Sequence, residues 1–288
     1  MADLIYGIKN NANCIITSNT LYQVGKNLQF SRLLFVPVGN TSNWSSISLG
    51  LVHSAAITSA GTLWTWGANS FGQLGLSDIT TRSSPVQVGT LSDWSKVSCG
   101  YNSTFAIKTD GTLWTWGNNT WGQLGLLDKT HRYSPVQVGT TSDWAQISNG
   151  YYYNTMAIKT NGTLWGWGNN TMGQLGLSDI ATRLSPVQVG TSSDWSKISC
   201  GYGYSAAIKT NGTLWTWGLN QYGQLGLSDI ATRSSPVQVG WSNNWNILAD
   251  GNSAWLRFLV IKNDSSLHQV GRTDFVGSLQ HIVRMPLK

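Results

Sequence analysis

At 288 residues and 41% apolar content, the chain is long enough to bury a sizeable core. Only 10% of its residues are charged, and the net of +6 is spread without a basic run, which argues against nucleic acid as a partner. All twelve acidic residues are Asp, while Gly reaches 32 and Trp 16, so good helix formers are scarce and an all-β chain is expected.

In chain order, the first elements form a degenerate unit over residues 1–39. A strand opens at Leu4 to Gly7, and "CIITSNTLYQVG" from Cys14 to Gly25 reads as a hairpin. Four well-formed units follow. Trp64, Trp114, Trp165 and Trp215 recur at intervals of 50 or 51 residues, and everything between them repeats in order. The second of these units shows the pattern: "WSKVSCG" from Trp94, "STFAIKT" from Ser103, "TLWTWG" from Thr112 and "SPVQVG" from Ser134 are four short strands rich in β-formers. Asp110-Gly111, and Asn161-Gly162 and Asn211-Gly212 after it, predict two-residue turns with φ > 0 at both positions. A last degenerate unit over 245–288 carries "LVIKNDSSLHQVG" from Leu259 and a closing strand at Ile282 to Arg284.

Alternation in "TLWTWG" puts Trp114 and Trp116 on one face and Leu113 on the other, so each sheet carries large apolar groups on both faces and must be sandwiched. Four-stranded sheets of this kind, repeated along a chain, predict a single β-propeller over 1–288. Six blades are expected, with the N- and C-terminal blades joined to close the ring and the tryptophans packed between blades. The end units are about eight residues shorter between their third and fourth strands, which predicts a notch where first and last blades meet.

"GTLWTWGANSFGQLG" from Gly61, with Gly50-Leu51-Val52-His53 upstream and Pro85-Val86 downstream, resembles the regulator of chromosome condensation repeat family. The resemblance implies a propeller, usually seven-bladed, used for binding: some members act on a small GTPase, and others bind chromatin or inhibit bacterial enzymes. This chain departs from the pattern in its six units, in end units without G-Q-L-G, and in lacking an inserted loop to displace a nucleotide.

Repetition provides an internal control, because a residue present in every copy serves the fold and a residue that breaks the pattern is free to serve a site. Gln73, Gln123, Gln174 and Gln224 are expected to brace their loops. Asp78 and Arg82, and their counterparts in the later copies, are spaced for an ion pair within each loop. Lys108, Lys159, Lys209 and Lys262 precede the hairpin turns and are expected on a solvated rim.

Two variable sets are candidate binding residues. Phe71, Trp121, Met172 and Tyr222 share one loop position, where they either pack on the neighbouring blade or form an aromatic crescent for a protein or glycan. His53, Tyr101, Tyr152, Tyr153, Tyr202 and Tyr204 follow the first strand and are candidates for one mouth of the central channel, although the resemblance makes His53 structural.

Chemistry is hard to find in this pattern. His53, His131, His268 and His281 lack metal-ligand spacing, no carboxylate pair stands out, and no phosphate loop or nucleophile motif is present. No catalytic residue, metal or cofactor is expected. Cys14, Cys99 and Cys200 are too sparse for a disulfide framework, and no stretch reads as a secretion signal or membrane span. The expectation is a non-catalytic structural or protein-interaction module, cytoplasmic or in a virion, such as a bacteriophage decoration or tail protein. A guanine-nucleotide exchange factor and a glycan-binding protein are the alternatives.

Overall fold

The structure, a computed structural model, describes the backbone of residues 5–9, 12–17, 20–26, 33–37, 43–248, 257–271 and 282–285, and the side chains of 43–248 and 258–271. The chain divides into two compact units, one of residues 1–120 with 130–142, the other of 121–129 with 143–288.

Each unit holds three four-stranded sheets in which every strand pairs antiparallel with the next in sequence. In the first unit they are β1 (Ile5–Lys9), β2 (Ala12–Thr17), β3 (Thr20–Lys26) and β4 (Leu33–Pro37); then β5 (Trp44–Leu49), β6 (His53–Thr58), β7 (Leu63–Gly67) and β8 (Arg82–Gln87); then β9 (Trp94–Cys99), β10 (Ser103–Lys108), β11 (Leu113–Gly117) and β12 (Arg132–Gln137). In the second unit they are β13 (Trp144–Asn149), β14 (Asn154–Lys159), β15 (Leu164–Gly168) and β16 (Arg183–Gln188); then β17 (Trp195–Cys200), β18 (Tyr204–Lys209), β19 (Leu214–Gly218) and β20 (Arg233–Gln238); then β21 (Trp245–Leu248), β22 (Arg257–Lys262), β23 (Leu267–Gly271) and β24 (Ile282–Met285). All the described elements are strands, as the composition implies. The expected notch depends on loops 27–32 and 272–281, which lie outside the described residues, as do the side chains on which closure by the terminal blades would rest.

The hairpin turns differ from expectation. Only the glycine has positive φ, +81° at Gly111 and +77° at Gly162, and Lys108 N–H bonds to Thr112 O at 3.0 Å while Gly111 N–H bonds to Lys108 O at 3.0 Å. This is a three-residue turn with a left-handed glycine at its end. Asp110 selects it: its Oδ1 accepts both the backbone N–H and the hydroxyl of Thr112, at 2.9 and 2.7 Å, a local bond that draws Asp away from the left-handed region.

Cores form between successive sheets within each unit. Ile57 and Leu63 of one sheet meet Trp94, Cys99 and Trp116 of the next. Met156, Ile158 and Leu164 likewise meet Trp195, Cys200 and Trp217. The tryptophans cluster edge to face: Trp94 lies 6.3 Å from Trp114 and 6.2 Å from Trp116, and Trp195 lies 6.0 Å from Trp215.

The lysines expected on a solvated rim are instead drawn into these clusters. Lys108 Nζ sits 5.1 Å from the Trp94 ring and 4.6 Å from Trp114, and Lys159 Nζ sits 4.7 Å from Trp144 and 4.8 Å from Trp165. Asp93 and Asp143 complete the cages at 3.1 and 3.0 Å. The physical reason is that the four-carbon stem lies along apolar surface while the ammonium meets two negative ring faces and a carboxylate. Replacing Lys159 by Met should therefore cost about 1–2 kcal/mol in urea unfolding. Adding Asp143→Asn, which removes the stranded carboxylate, should recover part of that loss.

Candidate functional site

The long loop between third and fourth strands is built from side chains that fold back on its own backbone. Gln73 Oε1 accepts the Phe71 N–H at 2.9 Å, and Gln123, Gln174 and Gln224 repeat the bond to Trp121, Met172 and Tyr222. Asn69 accepts the Leu74 N–H through Oδ1 and donates to Asp78 O through Nδ2, both at 2.9 Å. The Gln73 carbonyl then takes the Trp116 indole N–H at 3.0 Å and the Thr104 hydroxyl at 2.7 Å, which ties the loop to the following sheet. The bracing expected of the glutamines is therefore present.

Asp78 and Arg82 pair at 2.6 Å, Asp179 and Arg183 at 2.5 Å, and Asp229 pairs with Arg233 in the same way. The Thr80 backbone N–H, followed by Arg82, holds Asp78 below the ordinary carboxylate range. For Asp179 burial pushes upward, but the Ala181 N–H and Arg183 outweigh it and the net shift is down.

The variable loop residues grade from half-buried to exposed. Phe71 lies edge-on to His131 at 5.3 Å, Trp121 and Met172 are half-buried, and Tyr222 is exposed. Packing therefore claims part of Phe71, Trp121 and Met172, and Tyr222 offers most to solvent.

Residues after the first strand separate into two groups. His53 and Tyr204 open β6 and β18 and lie inside the protein, 3% and 1% exposed. His53 Nε2 is 2.8 Å from Thr104 Oγ1 on the next sheet, and Tyr204 packs 6.1 Å from Phe258. Tyr101 is half-buried in the first unit. In the second unit, Tyr151, Tyr152 and Tyr202 form a cluster between the β13–β14 and β17–β18 turns. The Tyr152 and Tyr202 rings are 5.0 Å apart and both are partly exposed, while Tyr151 is 6.3 Å from Tyr202 and buried. Burial, with Tyr152 beside it, raises the pKa of the Tyr202 hydroxyl. Tyr153 beside it has φ +62°, the left-handed conformation for which the next copy uses Gly203 at +70°.

One exposed residue escaped the sequence reading. Trp241 is 96% exposed in the turn before β21, where the other copies carry Thr90, Thr140 and Thr191. The signal was available, since a tryptophan stands where the three preceding copies read VGT. Among the described residues no three metal-ligating side chains gather, and no helix is long and apolar enough to cross a membrane.

A family model described as the RCC1-like domain matches residues 17–275. The chain belongs to the RCC1-like domain family. This RCC1-like chain is 35% identical over 161 residues to the ultraviolet-B receptor UVR8 of Arabidopsis thaliana, a match covering 54% of the chain and 37% of the receptor. It thus corresponds to little more than a third of that relative's length. Among solved structures, human WBSCR16 is similar with a TM-score of 0.79 at 19% identity, over 94% of this chain and 76% of that one. Prp20p from Saccharomyces cerevisiae is similar with a TM-score of 0.70 at 19% identity, over 84% and 65%. These likenesses give the sheets of the RCC1-like chain their architecture, that of β-propeller blades.

Two measurements check the local geometry. The lowered pKa values of Asp78 and Asp179 mean that their stabilisation is present above the unfolded value of 3.8 and is lost as pH falls through the lower folded values. An Asp78→Asn, Asp179→Asn variant should therefore melt below wild type at pH 7, and the gap should narrow below pH 3.8. Replacing Tyr153 by Gly should stabilise the protein by about 0.5–1 kcal/mol, because relief of left-handed strain exceeds the added chain entropy. A lower denaturation midpoint would contradict that assignment.

Proposed function

We propose that the RCC1-like chain is a non-catalytic protein-binding module whose docking face includes the tyrosine cluster of Tyr151, Tyr152 and Tyr202. The observation that carries this reading is the pair of partly exposed rings, Tyr152 and Tyr202, 5.0 Å apart and backed by a left-handed Tyr153. Tyrosine offers large, rigid contact area with a polar tip, the combination that dominates interface hot spots. A left-handed tyrosine where glycine would serve is strain retained at a surface turn, and such strain gathers where a surface is used.

Three further facts favour a protein partner over catalysis. The recurring glutamines and asparagines hydrogen-bond within loops, the recurring aspartates are paired with arginine or lysine, and His53 is inside the protein bonded to Thr104. The solved relative Prp20p is described by its binding to Gsp1p and histones, which makes protein recognition by a related fold the natural comparison. The virion and exchange-factor roles are narrower forms of the same proposal, and the identity of the captured partner separates them.

Immobilised wild-type chain should retain a defined protein from its native source. A Tyr152→Ala, Tyr202→Ala double variant, folded as judged by its melting curve, should retain at least tenfold less, roughly 1.4 kcal/mol or more for the two anchors. Equal retention by both proteins would move the face elsewhere, and retention of no protein would overturn the module reading.

A further inference from the structure

A cavity of about 500 Å³ in the first unit lies against the cage of Lys108 and is lined by Leu76, Gln87, Leu91, Trp94, Trp114 and Pro135, among others. Its volume suits a small molecule, and its walls join apolar surface to a few polar groups, as ligand sites do. The repeat shows what is unusual about it. In the second unit Ser192 Oγ lies 3.0 Å from Lys209 Nζ, and Ser242 Oγ lies 3.4 Å from Lys262 Nζ, so the protein itself places a neutral hydroxyl on the caged ammonium. The corresponding residue here is Leu91, half exposed, which has no oxygen to offer. The Gln87 amide differs in the same direction. Gln188 and Gln238 donate through Nε2 to Gly190 O and Gly240 O at 3.1 and 3.0 Å, whereas Gln87 makes no side-chain hydrogen bond among the described residues.

We propose that this cavity binds a neutral pyranose. Three features set the class. Asp93 at 3.1 Å already balances the charge of Lys108, so the group that completes the ammonium is a neutral oxygen, as Ser192 is for Lys209, rather than a second carboxylate. The half-buried Trp114 indole, with its N–H given to Thr112 Oγ1 at 2.9 Å, leaves Leu91 and Pro135 to complete an apolar wall for the C–H face of a sugar ring. Gln87 supplies both a donor and an acceptor to a second hydroxyl. A pyranose carries adjacent hydroxyls on a body with an apolar face, and matches all three.

The test uses methyl glucopyranosides, methyl galactopyranosides and N-acetylglucosamine as probes, with saturation-transfer NMR and tryptophan fluorescence at up to 20 mM sugar. Wild type should bind at least one of them and change its emission. Leu91→Ser, which returns the hydroxyl found in the second unit, and Gln87→Ala should each weaken binding about tenfold. Both positions are partly exposed, and unchanged melting curves would show that the variants remain folded. Silence across the probes with wild type, or binding undiminished in both variants, would overturn the assignment.

Discussion

A buried indole carries a hydrogen-bond donor inside a large hydrocarbon, and the fold is arranged around finding that donor an acceptor. Trp116, Trp167 and Trp217 each give the N–H to the backbone carbonyl of the glutamine in the preceding long loop, at 3.0, 2.8 and 2.9 Å. For that contact the loop backbone must lie on the ring. Gly75, Gly125 and Gly176 allow it: their φ values are +71°, +73° and +73°, and a Cβ there would stand 2.7 to 2.9 Å from the indole nitrogen. In these three copies the G-Q-L-G signature meets a tryptophan some forty residues later in sequence, and the loop's own glutamine and asparagine bonds hold the carbonyl in place.

The first-strand tryptophans solve the problem differently. The Nε1 atoms of Trp94, Trp144, Trp195 and Trp245 have no acceptor among the described residues, which costs each about 1–3 kcal/mol. Each of these rings carries a lysine ammonium over its face, at 5.1, 4.7, 4.8 and 4.6 Å. Edge-to-face contact with two other indoles, or with His268 in the case of Trp245, and a cation over the ring offset that cost through the π-system. Trp44 belongs to the copy with Thr58 at the lysine position. It keeps contacts with Trp64 and Trp66 at 6.2 and 6.4 Å, so the aromatic cluster persists there without the cation.

Much of this was legible in the sequence because the repeat writes it several times. The period identified the sheets, and alternation in "TLWTWG" placed Trp114 and Trp116 together, as their shared contact with Trp94 shows. The spacing of Asp78 and Arg82 gave their ion pair. What escaped were features set by partners far apart along the chain. Lys108 reads as a rim residue because it precedes a turn, and only the fold brings Trp94 and Asp93 to it. The turn geometry escaped because the dipeptide Asp110-Gly111 suits two turn types, and the choice lies in the bond to Thr112. At the candidate face, the tyrosines were visible as a variable run. Their division into a core residue, Tyr204, and a surface pair, Tyr152 and Tyr202, depends on which ring fills the space beside Gly201, where Tyr204 leaves no room for a Cβ.

Repetition also limits where recognition can arise. Positions that hold a loop carbonyl against an indole cannot vary without leaving a buried donor unpaired, so they are closed to new roles. The open positions are the turn after each first strand and the turn before the next, and the deviations fall there. One copy adds a residue, and gains Tyr151, Tyr152 and a left-handed Tyr153. Another replaces a hydroxyl residue by Leu91, and a third replaces Thr by Trp241. The Leu91 and Trp241 changes place an apolar or aromatic group at a surface where the other copies carry small or polar ones, and all three leave the indole seams intact. A rigid frame that keeps its seams constant can present different chemistry at each turn, because a substitution there changes what the surface contacts without changing what holds the sheets together.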